Sequence, residues 1–378
     1  MNVIDEFSNL VRLGDYIELC DERNSDGLFT LDNVRGISIL KKFIPTKADM
    51  QDVSLSPYKL IKPREFSYVT VTSRNGGKIS LAINDSNDTY LVSSSYEVFR
   101  SKNTEELLPE YLYLLLSREE FDRLSRFNSW GSARETFDWS EFCRIQIPLP
   151  DPDIQQELVD TYNGLKALAE QNEALIKPLT EACQAYIVDC KKKYPEVELG
   201  GYIQEFNQQN YQGDFVLEDV KGISIQKKFI DTKANMDDVP LDKYKIVKDG
   251  MFAFNVNTAR MGDKFAIALC KDETYLVSSI YGVFEVRDKS ILLPEYLYVI
   301  FNREDFDRYV RFTSWGSARE TFTYTEICEV SIPLPPIEVQ QAIVDLYNCA
   351  EEAKNIANET REKMKTLCPA LVQRAING

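Results

Sequence analysis

Trp130-Gly131-Ser132-Ala133-Arg134-Glu135-Thr136-Phe137 returns unchanged as Trp315-Gly316-Ser317-Ala318-Arg319-Glu320-Thr321-Phe322, about 185 residues later. Nearly the same offset carries Val34-Arg35-Gly36-Ile37-Ser38 onto Val220-Lys221-Gly222-Ile223-Ser224. It also carries Lys41-Lys42-Phe43-Ile44 onto Lys227-Lys228-Phe229-Ile230, and Ile147-Pro148-Leu149-Pro150 onto Ile332-Pro333-Leu334-Pro335. Solenoid and propeller repeats run to ~20–50 residues, whereas a unit of this length can bury a core of its own. The chain is therefore two copies of one whole domain. A two-copy chain fits a target that itself has two halves.

Each copy opens on an apolar-glycine lead-in, Leu13-Gly14-Asp15-Tyr16-Ile17 and Leu199-Gly200-Gly201-Tyr202-Ile203. Short stretches rich in β-branched and aromatic residues follow, among them Phe66-Ser67-Tyr68-Val69-Thr70-Val71 and Ile79-Ser80-Leu81-Ala82-Ile83. They read as strands, with turns at Asn75-Gly76-Gly77 and Met261-Gly262-Asp263. At Leu108-Pro109-Glu110-Tyr111 the period becomes helical, with proline placed for a first turn. A second short helix is predicted over Glu119 to Phe127. Strands first and helices afterwards make each copy α+β.

After each Ile-Pro-Leu-Pro the pattern becomes that of a long helix. Ile154, Leu158, Leu165, Leu168, Leu175, Leu179 and Tyr186 recur at four–three spacing, with Thr161, Asn172 and Ala182 in the remaining slots, as a coiled-coil seam requires. Val339, Ile343, Leu346, Ala350, Ala353, Ala357, Met364, Leu367 and Leu371 give the second seam, whose alanines suit close packing. Pro178 should kink or end the first helix. The expected boundaries are a first domain over 1–150, a helix over 151–193, a second domain over 194–336 and a helix over 337–378. The two helices are expected to pair as an antiparallel coiled coil within the chain.

Composition narrows the chemistry. Eight cysteines contain no Cys-x-x-Cys pair and there is no histidine among 378 residues, so reduced thiols are expected and no metal site. The lack of histidine also removes the commonest general base. No phosphate loop, Gly-rich cofactor loop or Asn/Asp-Pro-Pro-aromatic sequence is present, so no catalytic residue and no bound cofactor are expected. No apolar run approaches the ~18 residues of a membrane span, and the first residues do not resemble a signal peptide; the expected location is cytoplasmic. The formal net charge of −16 argues against nucleic acid. Acidic residues, however, gather in 5–32 and 196–219, while lysines and arginines gather in 35–74 and 221–264. A local basic face can still bind phosphate, because salt screens distant charges beyond about 8–10 Å.

With these pieces in order, the chain resembles the specificity subunit of a type I restriction-modification system over nearly its whole length. The most specific stretch is Ile332-Pro333-Leu334-Pro335-Pro336-Ile337-Glu338-Val339-Gln340, which is similar to the family's proline-rich start of a spacer helix, with Val339 replacing a glutamate. Pro148-Leu149-Pro150-Asp151-Pro152-Asp153-Ile154-Gln155 keeps less of it. The resemblance implies two target-recognition domains, each reading one half of a bipartite double-stranded DNA site, with the helices as a ruler for the gap. It implies two methyltransferase subunits docked around the helices, S-adenosylmethionine bound on those partners, and restriction subunits joining the core. The subunit itself would carry out no chemistry. On the helices, Leu158, Leu165, Leu168, Leu175, Ile343, Leu346 and Ala350 are the candidate spacer and subunit residues. The competing reading is an acidic interaction scaffold or DNA mimic that occupies a DNA-binding partner.

Candidate DNA contacts follow from chemistry. Arg74 and Arg260 flank glycine-containing turns and are followed by Lys78 and Lys264; an arginine fork on a turn fits guanine or phosphate, with a solvated turn arginine as the alternative. Asn257 or Asn255 could pair with adenine where Thr72 could not do so bidentately. Ser132, Arg134, Ser317 and Arg319 belong to the repeated Trp-Gly-Ser-Ala-Arg-Glu motif. There Ser132 and Glu135 also have capping-box spacing, and a helix N-terminus is itself a phosphate site. Trp130 and Trp315 read as core. Lys41, Lys42, Lys227 and Lys228 are candidate phosphate contacts or a solvated strand edge.

Overall fold

The computed structural model describes residues 10–377 apart from 74–75, 132–133, 233, 237–238, 260–261 and 315–319, with side chains up to residue 365. The chain divides into two compact units, Met1–Glu170 with Ala357–Gly378, and Gln171–Ile356. Each unit holds one copy of the domain.

In the first unit the strands are β1 (Leu10–Arg12), β2 (Ile17–Leu19), β3 (Arg35–Ile37), β4 (Phe43–Pro45), β5 (Lys59–Ile61), β6 (Phe66–Val69), β7 (Leu81–Ile83), β8 (Tyr90–Val92) and β9 (Tyr96–Ser101). Helices α1 (Pro109–Leu116), α2 (Glu119–Phe127) and α3 (Trp139–Arg144) follow, then β10 (Gln146–Pro148) and the long α4 (Pro152–Lys193). The main sheet runs β2-β9-β6-β7, all antiparallel, and β3-β4 and β5-β8 form small pairs. First and last strands are tied together, Leu10 opposite Pro148, which closes the domain before the helix leaves. A Cβ on Gly14 would lie 2.6 Å from the Cys143 Cβ, so glycine lets the lead-in turn rest on α3. The core lies between the sheet and the helices: Phe66 stacks on Phe99 at 4.9 Å, and Phe142 meets Tyr68, Phe99 and Phe121. Pro109 opens α1 at the position where its missing N–H costs nothing, and Asp138 caps α3 by accepting from the Glu141 amide at 2.9 Å.

The second unit repeats this order with β11 (Glu196–Glu198), β12 (Ile203–Glu205), β13 (Lys221–Ile223), β14 (Phe229–Asp231), β15 (Lys245–Val247), β16 (Met251–Asn255), β17 (Ile267–Leu269), β18 (Tyr275–Val277) and β19 (Tyr281–Val286). Helices α5 (Pro294–Phe301), α6 (Glu304–Thr313) and α7 (Tyr324–Cys328), strand β20 (Ser331–Pro333) and the long α8 (Ile337–Asn377) complete it. Its main sheet is β12-β19-β16-β17, and β11 closes on β20. Thr323 and Glu326 form the capping box of α7.

A buried glutamine docks the start of each long helix. Gln155 accepts from the Leu108 amide at 3.0 Å and donates to the Glu106 and Pro150 carbonyls at 2.8 Å each. Gln340 accepts from Leu293 at 2.9 Å and donates to Ile291 and Pro335 at 2.8 and 2.9 Å. The closing stretch of α4 shares the second unit with the opening of α8, and the closing stretch of α8 shares the first unit with the opening of α4, the order that antiparallel helices give. Cys183, Ile187, Ile343 and Val344 join one core there.

Two readings of the helices are corrected. The inward stripe of α4 runs through Gln155, Leu158, Tyr162, Leu165, Ala169, Asn172, Ile176, Leu179, Cys183 and Ile187. Leu158, Leu165, Asn172 and Leu179 were in register, but Ile154, Leu168, Leu175 and Tyr186 stand at 36–53 % exposure, one residue off. Close approach selects the small Ala169, fully buried, over the larger leucine beside it. On α8, Ile343, Ala350, Ala353 and Ala357 are buried as expected and Leu346 is half-buried. Pro178 does not end α4, which continues to Lys193. The carbonyl it leaves unbonded, at Ala174, lies on the exposed face where water can serve it. Among the described residues no helix is long and apolar enough to cross a membrane.

Candidate nucleic-acid interface

The turn after β6 and the Trp-Gly-Ser-Ala-Arg-Glu motif lie about 60 residues apart in sequence and side by side in the fold. Val71 bridges Thr136, the Thr72 amide donates to the Glu135 carbonyl at 3.0 Å, and the Phe137 amide to Thr70 at 2.8 Å. The second copy repeats every contact: Asn257 bridges Thr321, the Thr258 amide reaches Glu320 at 3.0 Å, and Phe322 reaches Val256 at 2.9 Å. Glu135 also pairs with Arg126 of α2, and Glu320 with Arg311 of α6. Phe137 and Phe322 anchor the motif in the core at 0 % exposure.

The motif does not start a helix. Trp130 and Thr136 exchange backbone hydrogen bonds at 3.0 and 2.9 Å, closing a narrow loop. Gly131 has φ +140, and a Cβ there would overlap the Arg134 carbonyl, so the loop needs glycine. Glu135 is taken by Arg126 and not by a capping box. Trp130 is 64 % exposed rather than core, and Phe127 and Arg134 are exposed as well. Ser132, Arg74, Arg260, Ser317, Arg319 and Trp315 lie outside the described residues.

The lysine pairs split. Lys42 and Lys78 are exposed. Lys228 and Lys264 are also exposed but stand 3.8 Å from Glu351 and 3.5 Å from Asp307 respectively. Lys41 and Lys227, read as phosphate contacts, are 6 % and 3 % exposed and held at 2.6 Å by Asp122 and Asp307. At φ +59 and +60 the tight β3–β4 and β13–β14 turns point these side chains inward, where a buried carboxylate takes the ammonium that a phosphate would need. Burial pulls both lysines below their ordinary pKa, against the opposing pull of the aspartates. Asn257 accepts from the Ala259 amide at 3.2 Å through Oδ1, which ties that oxygen to its own turn. The residues missed from sequence are thus Asp122, Asp307, Arg126, Arg311 and the glutamine clamps.

Two α+β domains of one design, each closing into a long helix and each with the turn after its central strand stitched to the Glu-Thr-Phe end of the motif, define a duplicated two-domain subunit. Among the described residues no group of three or more carboxylates and thiols could hold a metal ion. The type I restriction modification DNA specificity domain family matches residues 11–181 and 201–362, so the chain belongs to that family. The fold is similar to the S subunit of the type I restriction-modification system from M. genitalium, with a TM-score of 0.61 at 10% identity, covering 99% of this chain and 98% of that one. A second similar structure is the HsdS subunit from Thermoanaerobacter tengcongensis, with a TM-score of 0.43 at 17% identity, covering 100% of this chain and 98% of that one. No curated protein matches.

Proposed function

We propose that this chain is the non-catalytic DNA-reading subunit of a cytoplasmic methylation and restriction complex. Each domain reads one half of a bipartite duplex site, over the domain and helix boundaries expected from the sequence. The observation that carries this reading is the stitching of the turns after β6 and β16 to the end of the repeated Trp-Gly-Ser-Ala-Arg-Glu-Thr-Phe motif, which sets the segment leading to Lys78 against the one that follows Arg134 and recurs in the second copy. Arg74 and Arg260 join the proposed contacts on the strength of the sequence. Ser132, Ser317, Arg319, Lys42, Asn257, Lys228 and Lys264 complete the contacts proposed. Two methyltransferase subunits, which would carry S-adenosylmethionine, dock on the long helices, where the exposed Leu168 and Leu175 offer apolar surface. Restriction subunits add to that core.

The test is binding of bipartite duplexes by the chain assembled with its methyltransferase, across salt. A reader gives one preferred sequence and a log K that falls with log salt. The net charge of −16 favours a DNA mimic instead; a mimic would bind the methyltransferase and lose it to added duplex, and that result would sink the proposal. Arg134→Ala should weaken recognition of one half-site by roughly 1–3 kcal/mol and leave the other unchanged. Equal loss at both halves would reject the assignment of one domain to one half.

A further inference from the structure

In the first unit the β3–β4 hairpin tip, the α1–α2 junction and the closing turns of α8 enclose a cleft of about 480 Å³. Lys42, Lys78 and Arg118 line it. Among the described residues no carboxylate lies within ion-pair distance of any of the three, and Arg118 spends only Nε, on the Leu115 carbonyl at 3.3 Å. Glu119 and Glu120 also face the cleft, but Glu120 reaches Arg123 at 3.4 Å. The deeper Lys41–Asp122 pair is neutral as a unit. The cleft thus keeps an excess of positive charge in a chain whose total is −16.

The second domain has the same three positions and sets a carboxylate within ion-pair distance of each of them, Asp307 being shared with the buried Lys227. Arg303 is held by both oxygens of Asp305 at 2.8 and 2.7 Å, Lys228 by Glu351 at 3.8 Å, and Lys264 by Asp307 at 3.5 Å. The change at the arginine is traceable to one residue, Glu120 in the first copy and the shorter Asp305 in the second. Aspartate two residues on turns back onto the arginine, whereas Glu120 reaches forward to Arg123.

We propose that the first-domain cleft grips the phosphodiester backbone of the duplex and that its counterpart in the second domain does not, so the two half-sites are held with unequal electrostatic strength. This rests on the DNA-reading function above and deepens it. An unpaired guanidinium fork matches two phosphate oxygens, and exposed lysines add point charges at little desolvation cost. Lys78 lies in the connection between β6 and β7, four residues after Arg74 in sequence, so a phosphate gripped there would set the register of the proposed reading segment. An acidic protein segment is the other ligand such a cleft could take, and the test separates the two.

The full chain, assembled with its methyltransferase, is titrated with its specific duplex across salt. Each phosphate contact contributes about 0.9 to the slope of log K against log salt. Arg118→Gln should flatten the slope by about one and Lys78→Gln/Arg118→Gln by about two, whereas Arg303→Gln leaves it unchanged. Thermal melting checks that each variant is folded. Specific binding with an unchanged slope in the double variant overturns the cleft proposal while the reading stands. Equal flattening by Arg303→Gln overturns the asymmetry, and weakened methyltransferase assembly with an unchanged slope assigns the cleft to a protein segment. Wild-type chain that binds no duplex sinks the reading itself.

Discussion

Asp307→Ala should destabilise the second unit by about 3–5 kcal/mol, the range for removing one partner of a buried ion pair. The Asp307 carboxylate is 4 % exposed, accepts Lys227 at 2.6 Å and the Phe265 amide at 3.0 Å, and has Lys264 at 3.5 Å. Lys227 also donates to the Phe301 carbonyl, and its own carbonyl accepts from the Tyr298 hydroxyl at 2.9 Å. Alanine leaves a buried ammonium with no counter-charge and a buried amide with no acceptor, and both are costly in a medium of low polarity. The β13–β14 turn, held at φ +60 by these contacts, would be the first segment to loosen. Asp122→Ala should act alike on the first unit, where Asp122 accepts Lys41 at 2.6 Å and the Ile79 amide at 3.1 Å. Urea unfolding of the full chain measures the loss. Lys227→Met/Asp307→Leu should recover at least half of it, because an apolar pair removes the stranded charge. A loss below about 1 kcal/mol, or a double variant no better than the single, would show that the pair does not hold the turn.

The duplication was legible because identical octets at a constant offset have no other economical reading, and the α+β order followed from the change of period at Leu108. Pairing across the fold was less legible. Lys41 looks like a surface lysine until the turn at φ +59 points it inward. The signal that could have found its partner was present: Lys41 and Asp122 are 81 residues apart, Lys227 and Asp307 are 80, and each acid follows an inward phenylalanine. The α4 seam slipped by one residue at every second slot because large apolar side chains dominate a periodicity count. Helices in close contact instead select small residues such as Ala169. Glu135 has the spacing of a capping box, but Arg126 comes from another helix and no local pattern announces it.

Gln340→Ala should cost about 2–4 kcal/mol, although the residue is uncharged and lies in a helix where alanine has the higher propensity. Its side chain is 0 % exposed and uses three of its hydrogen-bonding positions: Leu293 amide, Ile291 carbonyl and Pro335 carbonyl, all between 2.8 and 2.9 Å. Truncation leaves the Leu293 amide at the start of α5 without its acceptor, and two carbonyls without a donor. Each stranded buried group costs about 1–3 kcal/mol, least for a carbonyl that retains a second lone pair in use or in reach of water. Gln340→Glu should not rescue, because a carboxylate can still accept from Leu293 but turns an oxygen toward the Ile291 and Pro335 carbonyls. Gln341→Ala is the internal control: that side chain is exposed and bonds only Asp345 at 2.8 Å, so its loss should stay within about 0.5 kcal/mol. Gln155→Ala should repeat the effect in the first unit, where the same three bonds join α4 to the start of α1. Equal melting of the Gln340 and Gln341 variants would reject the clamp. A larger loss at Gln340, matched by Gln155 in the first unit, would mean that one neutral side chain clamps the start of each long helix to its domain, the fixed point that the proposed ruler needs.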